Sequence, residues 1–262
     1  MYYIKKSHFW RVIAMLTEER YATILRILEE KKAVTVLDLT RALNASESTV
    51  RRDLTALHKN GRLYKVYGGA TSIDNNYSSA EEDMKTKNDL FPEEKIAIAR
   101  KAAGLIKQKD FVYIDAGSTT LHLIDFLTET SAVFVTNGMQ HAAKLAAKGF
   151  KVFIIGGAVK AVTEAVIGTE ALESLTCYNF TKGFFGTNGI SPKSGFSTPD
   201  ADEGTIKSAA LARCKHAYVL ADQSKFNKIS PITFANISSA TIITGRLEDK
   251  KYRDYTTVLE GE

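Results

Sequence analysis

Over residues 18–70 the apolar positions change period several times. From Glu18 to Lys32 they fall at Tyr21, Ile24, Ile27 and Leu28, the three-to-four spacing of one helix face. Ala33-Val34-Thr35 reads as a short extended step, and helical spacing returns at Val36, Leu39 and Leu43. Asn44-Ala45 is a turn. Ser46 then caps a further helix by accepting from the free amides of its first turn, where Glu47 also suits the helix dipole. That helix is expected to reach about Asn60, with Gly61 as the left-handed residue that ends it. Arg62–Tyr67 alternates as a strand does, and Gly68-Gly69 marks a tight turn.

Residues 71–91 are polar and nearly devoid of aliphatic side chains, which predicts a linker between domains. Pro92 opens a helix to about Gln108. Short apolar runs follow at Phe111–Asp115, Ala132–Thr136, Lys151–Ile155, Lys182–Gly186, Ala217–Asp222 and Ala240–Thr244. Helical segments are expected near 119–128, 139–148, 169–176 and 203–214. Strands spaced by helices predict an α/β domain whose largely parallel sheet is covered on both faces. The expected division is therefore 15–70, a linker at 71–91, and 92–260.

The helix after Ser46 has two faces. At about 100° per residue, Val50, Leu54 and Leu57 form one stripe, while Ser48, Arg51, Arg52 and Thr55 lie on the opposite side. The stripe anchors the helix to its predecessors and the arginine face points outward. Arginine can hold a guanine edge or a phosphate with two parallel hydrogen bonds, and the hydroxyls reach phosphates or bases. With the helix before it, this is a helix-turn-helix, and the strand pair at 62–70 adds a wing carrying Arg62 and Lys65. Asp53, on the same helix, is expected to be structural, orienting an arginine or sitting near a helix amide, rather than to read a base.

Charge placement agrees. Residues 1–70 hold 13 Lys+Arg against 7 Asp+Glu, whereas the rest of the chain holds 22 against 23. All of the net +5 therefore lies in the first quarter, which points to a polyanionic partner for that module. No run of 18–20 apolar residues marks a membrane span. The opening MYYIKKSHFWRVIAM makes a poor secretory signal; residues 1–14 read as a loosely held extension or as an artefact of where translation was assumed to begin. Cys177 and Cys214, with no CxxC pair, suggest neither a disulfide framework nor a cysteine zinc site, and so a reducing cytoplasm. His8, His58, His122, His141 and His216 are scattered without ligand spacing, so no metal or cofactor is expected. His122 and His141 are read as packed or solvated.

Several predicted strands end in polar or glycine-rich turns. Asp115 is followed by Ala116-Gly117-Ser118-Thr119-Thr120 and a helix start, where free amides and hydroxyls make an anion site. Thr136-Asn137-Gly138, Gly156-Gly157 and Gly186-Thr187-Asn188-Gly189 also follow strands, and in open parallel sheets ligands gather at those ends. Glu203 and Lys207 share a face of the helix after Pro199-Asp200, a spacing that usually gives a surface ion pair. Asp222 and Lys225 follow the strand at 217–221, where a lysine can hold a phosphate as a point charge.

Arg20-x-x-x-Ile24, Ser46-x-x-Thr49-Val50-Arg51-Arg52-Asp53-Leu54, Gly61-x-Leu63 and Gly68-Gly69-Ala70 together resemble the DeoR family of bacterial transcriptional regulators, over about residues 15–260. The resemblance implies a winged helix-turn-helix and a sensor domain resembling ribose-5-phosphate isomerase. It implies operator double-stranded DNA and a phosphorylated sugar as partners, and a homodimer or homotetramer. Candidate DNA contacts are Ser46, Ser48, Thr49, Arg51, Arg52, Thr55, Arg62 and Lys65. Carried over, Asp115, Gly117, Ser118, Thr119 and Thr120 would cradle the phosphate. Thr136, Asn137, Gly156, Gly186, Asn188, Glu203, Asp222 and Lys225 would complete the pocket. Where the family often has an aspartate after Asn-Gly-Ile, this chain has Ser191.

The expectation is thus a cytoplasmic repressor of a sugar operon. Its rival is a sugar-phosphate isomerase-like enzyme with an accessory nucleic-acid-binding domain, for which Asp115, Glu203, Lys207, Asp222 and Lys225 would supply acid–base groups. Against the rival stands the absence of a Ser-His-Asp order or nucleophile elbow from the sequence.

Overall fold

The computed structural model describes residues 16–31, 33–66, 68–72 and 90–261. The expected loose segment at 1–14 and most of the expected linker fall outside these residues. The chain divides into two compact units between Asp74 and Asn75. Among the described residues, no helix is long and apolar enough to cross a membrane.

In the first unit, α1 (Thr17–Lys31), β1 (Ala33–Thr35), α2 (Val36–Leu43) and α3 (Glu47–Lys59) precede a hairpin of β2 (Tyr64–Val66) and β3 (Gly69–Thr71). The stripes converge as their spacing demands. Ile24 and Leu28 of α1, Leu39 and Leu43 of α2, and Val50, Leu54 and Leu57 of α3 are all buried around Leu63 and Ala70. Thr35 and Asp38 close a capping box at the start of α2. Asn44 takes the left-handed conformation that ends α2, and Gly61, at φ +61°, does so after α3. The step at 33–35 is more than a connector, because β1 pairs with β3 and gives a three-stranded antiparallel wing in the order β1-β3-β2. Gly69 is what permits this pairing, since a Cβ there would stand 2.1 Å from the Val34 carbonyl oxygen.

The second unit opens with α4 (Pro92–Ala103), shorter than the helix expected to reach Gln108. Gly104 follows it, and the turn at 107–110 is held by the Asp110 carboxylate, which accepts from the Lys107 amide at 2.7 Å. Then come β4 (Phe111–Ile114), α5 (Ser118–Leu123), β5 (Val133–Thr136), α6 (Met139–Ala147) and β6 (Lys151–Ile154). A hairpin of β7 (Ala158–Lys160) and β8 (Ala165–Ile167) leads to α7 (Thr169–Leu175) and β9 (Phe180–Gly186). β10 (Gly189–Ser191), β11 (Gly195–Thr198), α8 (Ala201–Ala212), β12 (Cys214–Leu220), β13 (Ile232–Ala235), β14 (Thr241–Thr244) and β15 (Val258–Glu260) complete it.

Seven strands form one wholly parallel sheet in the order β15-β14-β12-β9-β4-β5-β6. Successive residues feed opposite faces: Tyr113, Phe185, Val219 and Ile242 enter one core, and Ile114, Phe184, Leu220 and Ile243 enter the other. That is why these strands read as unbroken apolar runs. β10, β11 and β13 form a separate antiparallel sheet.

Candidate functional sites

On α3 the arginine face stands clear of the core. Arg51 and Arg52 are exposed, and the Arg51 side chain, 55% accessible, donates to Glu47 one turn back at 3.3 Å. Ser46 Oγ accepts from the Thr49 amide at 3.3 Å and lies 2.9 Å from the hydroxyls of both Ser48 and Thr49. Ser46 therefore builds the helix start that presents the arginines. The Thr55 hydroxyl donates to the Arg51 carbonyl at 2.7 Å and accepts from Lys65 Nζ at 2.8 Å, so the wing is fastened to the helix through two of the candidate contacts. Arg62 and Lys65 are exposed. Asp53, by contrast, is buried and takes two hydrogen bonds from Arg20, which hold that guanidinium above its ordinary pKa.

In the second unit a pocket of about 600 Å³, counting its open mouth, lies where β4, β9 and β12 end. Gly117, Ser118, Thr119, Gly186, Asn188, Glu203, Asp222 and Lys225 all line it. Four other candidates are placed differently. Asp115, Thr120, Thr136 and Asn137 are buried beneath the loops rather than lining the pocket. The Thr120 hydroxyl donates to the Asp115 carbonyl at 2.6 Å, the Thr136 hydroxyl donates to the Ile114 carbonyl at 2.6 Å, and Asn137 Oδ1 accepts from the Ala116 amide at 2.8 Å. These groups fix the shape of the turn. Gly156 is exposed and stands outside the pocket, because β6 is the sheet edge and its following loop turns into the β7–β8 hairpin.

Gly117 has extended backbone, φ −173°, and a Cβ there would meet Thr120 Oγ1 at 3.2 Å. Ser191, in β10, does not line the pocket.

Glu203 and Lys207 are not a surface ion pair. Both are buried and both line the pocket, but each has its own partner. Lys207 Nζ contacts the Asp115 carboxylate, which also accepts from the Gly186 amide at 3.0 Å. Burial pushes the Asp115 carboxyl up, against the pull of that ammonium and that amide. Glu203 accepts from the Thr163 hydroxyl at 2.6 Å and lies 3.3 Å from Lys160, which also meets Asp200 at 2.9 Å. Asp200 caps α8 by accepting from the Glu203 amide at 2.9 Å. Asp222 accepts from the Ser224 amide at 3.0 Å. His141 is fully buried, 3.1 Å from the Thr120 hydroxyl, and burial pushes it down to about 3, so the ring is neutral.

Ala116 and Thr187, turn positions given no weight in the sequence, also line the pocket, and Leu90, Lys95, Thr163 and Leu220, which no sequence feature singled out, complete the lining. Thr163 sits in the unforeseen β7–β8 hairpin. Leu90 and Lys95 belong to the entry of α4, where no motif marks them.

Two family models match the chain: the DeoR-like helix-turn-helix domain over residues 20–76, and the DeoR C terminal sensor domain over residues 91–246. The chain belongs to the DeoR family. It is 44% identical to the uncharacterised HTH-type transcriptional regulator FruR of Bacillus subtilis (strain 168), across 92% of this chain and 96% of that one. It is 31% identical to the lactose phosphotransferase system repressor of Staphylococcus aureus (strain N315), across 90% and 95%. The solved ribose 5-phosphate isomerase A of Methanocaldococcus jannaschii superposes with a TM-score of 0.38 at 14% identity, covering 52% of this chain and 54% of that one. That score is too low to bear on fold or chemistry. Membership makes this DeoR-family protein a DNA-binding transcriptional regulator with a sensor domain.

Proposed function

We propose that this protein is a cytoplasmic repressor of a sugar-metabolism operon whose operator affinity is set by a phosphorylated sugar. In this reading Arg51 and Arg52 enter the major groove, Ser48, Thr49 and Thr55 flank them, and Arg62 and Lys65 of the wing grip phosphates. The sugar phosphate occupies the pocket at the ends of β4, β9 and β12, its anionic end toward Ser118 and Thr119 and its hydroxyls toward Asn188, Glu203 and Asp222. A homodimer or homotetramer held by the sensor units sets the half-site spacing.

The observation that carries this reading is the pairing, in one DeoR-family chain, of an outward arginine face with a lysine-lined pocket that also offers carboxylates and hydroxyls. Names of relatives add support, since lactose phosphotransferase system repressors are among them. The proposal is binding without turnover. In its favour, three of the acid–base candidates are held by fixed partners, Asp115 and Lys207 by each other and Glu203 by Thr163 and Lys160.

Fluorescence anisotropy on DNA from upstream of the neighbouring genes, run with pentose and hexose phosphates, tests the reading. Nanomolar binding altered at least tenfold by one phosphorylated sugar, with that sugar recovered unchanged, is the expected result. An isomerised product, or an affinity no sugar phosphate alters, would overturn it.

A further inference from the structure

Among the described residues, β6 is an outermost strand of the parallel sheet, with β5 as its one strand neighbour. The strand at the opposite edge, β15, is buried or half-buried along its length. On β6, by contrast, Lys151, Phe153 and Ile154 are exposed, Phe153 and Ile154 to 41% and 47%. Exposure continues through Gly156, Gly157 and Ala158 into β7, whose one strand partner among the described residues is β8. Val159 in β7 and Val162 in the turn after it are 52% and 45% exposed. Met139, 45% exposed, is tied to the same turn, its amide donating to the Glu164 carbonyl at 3.0 Å.

An open apolar strand edge is a liability, because its outward amides and carbonyls can template the addition of another strand. Native sheets blunt such edges with charge, with proline or with a covering element. Residues 152–159 contain neither charge nor proline. Exposed apolar surface gathered in this way marks a site of association.

A second copy of this chain fits that edge on charge, area and symmetry. Pairing of a strand with its own copy across a twofold axis is antiparallel, so the two Lys151 side chains stand at opposite ends of the joint. The charge of Lys160 is met by Asp200 at 2.9 Å and Glu203 at 3.3 Å within its own chain. Five apolar residues left 41–52% exposed offer roughly 400 Å², half of the ~800 Å² that each partner gives a standard interface, and the strand margin with its two glycines adds to it. Helix-turn-helix proteins reading paired half-sites must hold two copies together. The first unit carries the whole positive excess, whereas residues 71–262 hold 22 Lys+Arg against 23 Asp+Glu, so two copies meet with least repulsion through the second unit.

We infer that the β6 edge, continued by Val159, Val162 and Met139, is the surface through which two copies of this chain associate, β6 adding antiparallel to β6 of the second copy. This names the surface behind the oligomer reading above, on which it rests.

Sedimentation velocity of the full chain at micromolar concentration tests it on wild type, Phe153→Glu, Val159→Glu and Tyr255→Glu. Tyr255 is equally open, at 47%, but lies just before β15 at the opposite edge of the sheet, and serves as the control. Wild type should sediment as an oligomer. Phe153→Glu and Val159→Glu should each weaken association at least tenfold, taking a dimer toward monomer or a tetramer toward dimer, while Tyr255→Glu sediments as wild type does. An oligomer that survives either edge variant overturns the assignment of this surface, as does an equal loss in Tyr255→Glu. A monomeric wild type would overturn the oligomer reading itself. If the edge variants do not fold, hydrogen exchange on the wild type decides: amides of residues 151–159 should exchange faster on dilution through the range where the oligomer dissociates, and exchange independent of concentration there overturns the inference.

Discussion

Arg20 on α1 and Asp53 on α3 form a two-pronged ion pair at 2.7 and 3.1 Å, with Asp53 buried between an exposed arginine and a core leucine in the chain. The pair explains why an acidic residue follows two arginines on a helix proposed to meet a polyanion. Turned inward, its charge is matched by Arg20 and leaves the outward face cationic. Asp53→Ala should destabilise the first unit by roughly 3 kcal/mol, the lower end for breaking a buried pair, since Arg20 keeps partial access to water. Urea unfolding followed by hydrogen exchange in α1 and α3 would check it. A change within error of zero would mean the pair contributes nothing to holding α3 in place.

Arg51 and Arg52 behave in the opposite way, because neither holds the fold together. Replacing both with alanine should leave the melting temperature within about a degree, as exposed substitutions away from caps and cores usually do. Operator affinity should fall by at least tenfold. The slope of log affinity against log salt should become shallower by about one unit for each DNA phosphate the variant no longer neutralises. Anisotropy titrations at three salt concentrations separate these outcomes; an unchanged affinity would count against the outward face as the DNA-binding surface.

Asp115 and Lys207 are coupled across two elements, with Asp115 1% exposed. Lys207→Met strands a buried carboxylate and should cost roughly 3–5 kcal/mol. The double variant Asp115→Asn with Lys207→Met removes both charges and should recover much of that loss. A double-mutant cycle in chemical denaturation gives the coupling directly, and purely additive effects would contradict the pairing.

How far the sequence foretold these sites follows from what each element touches. α3 was legible because its cap, stripe and terminating glycine are all local signals, written within Ser46–Gly61. The five internal strands β4, β5, β9, β12 and β14 were legible because burial on both faces makes them continuous apolar runs, and the edge strand β6 was legible from its apolar residues although it is largely exposed. β7, β8, β10, β11 and β13 are three or four residues long, and their pairing comes from tertiary packing rather than from a period of their own. β1 was seen only as a step because its partner β3 lies beyond two helices. At the pocket, turn residues such as Ser118 and Asn188 were readable by position, whereas the partner of Lys207 is 92 residues away, so its helical neighbour Glu203 was the only one the spacing suggested.

Glu94, beside the pocket-lining Lys95, gives stability a pH dependence of unusual sign for a carboxylate. Burial first, and then the charge of Asp222, push it up to about 7, although amides of Gln223 and Gly245 donate to it. Between the ordinary value near 4.5 and about 7, the folded chain holds a proton that the unfolded chain releases. Stability from this group is therefore fully present below about 4.5 and is lost as pH rises through 7. Neutral buried His141, pushed down to about 3, works the other way below about 6.5, so the wild-type curve alone mixes the two. The difference between wild type and Glu94→Gln removes the histidine contribution. Glu94→Gln should match wild type near pH 4.5, exceed it increasingly from about pH 5 to pH 7 and level off above, read as denaturation midpoints in urea. A constant difference across that range would show that Glu94 does not titrate there.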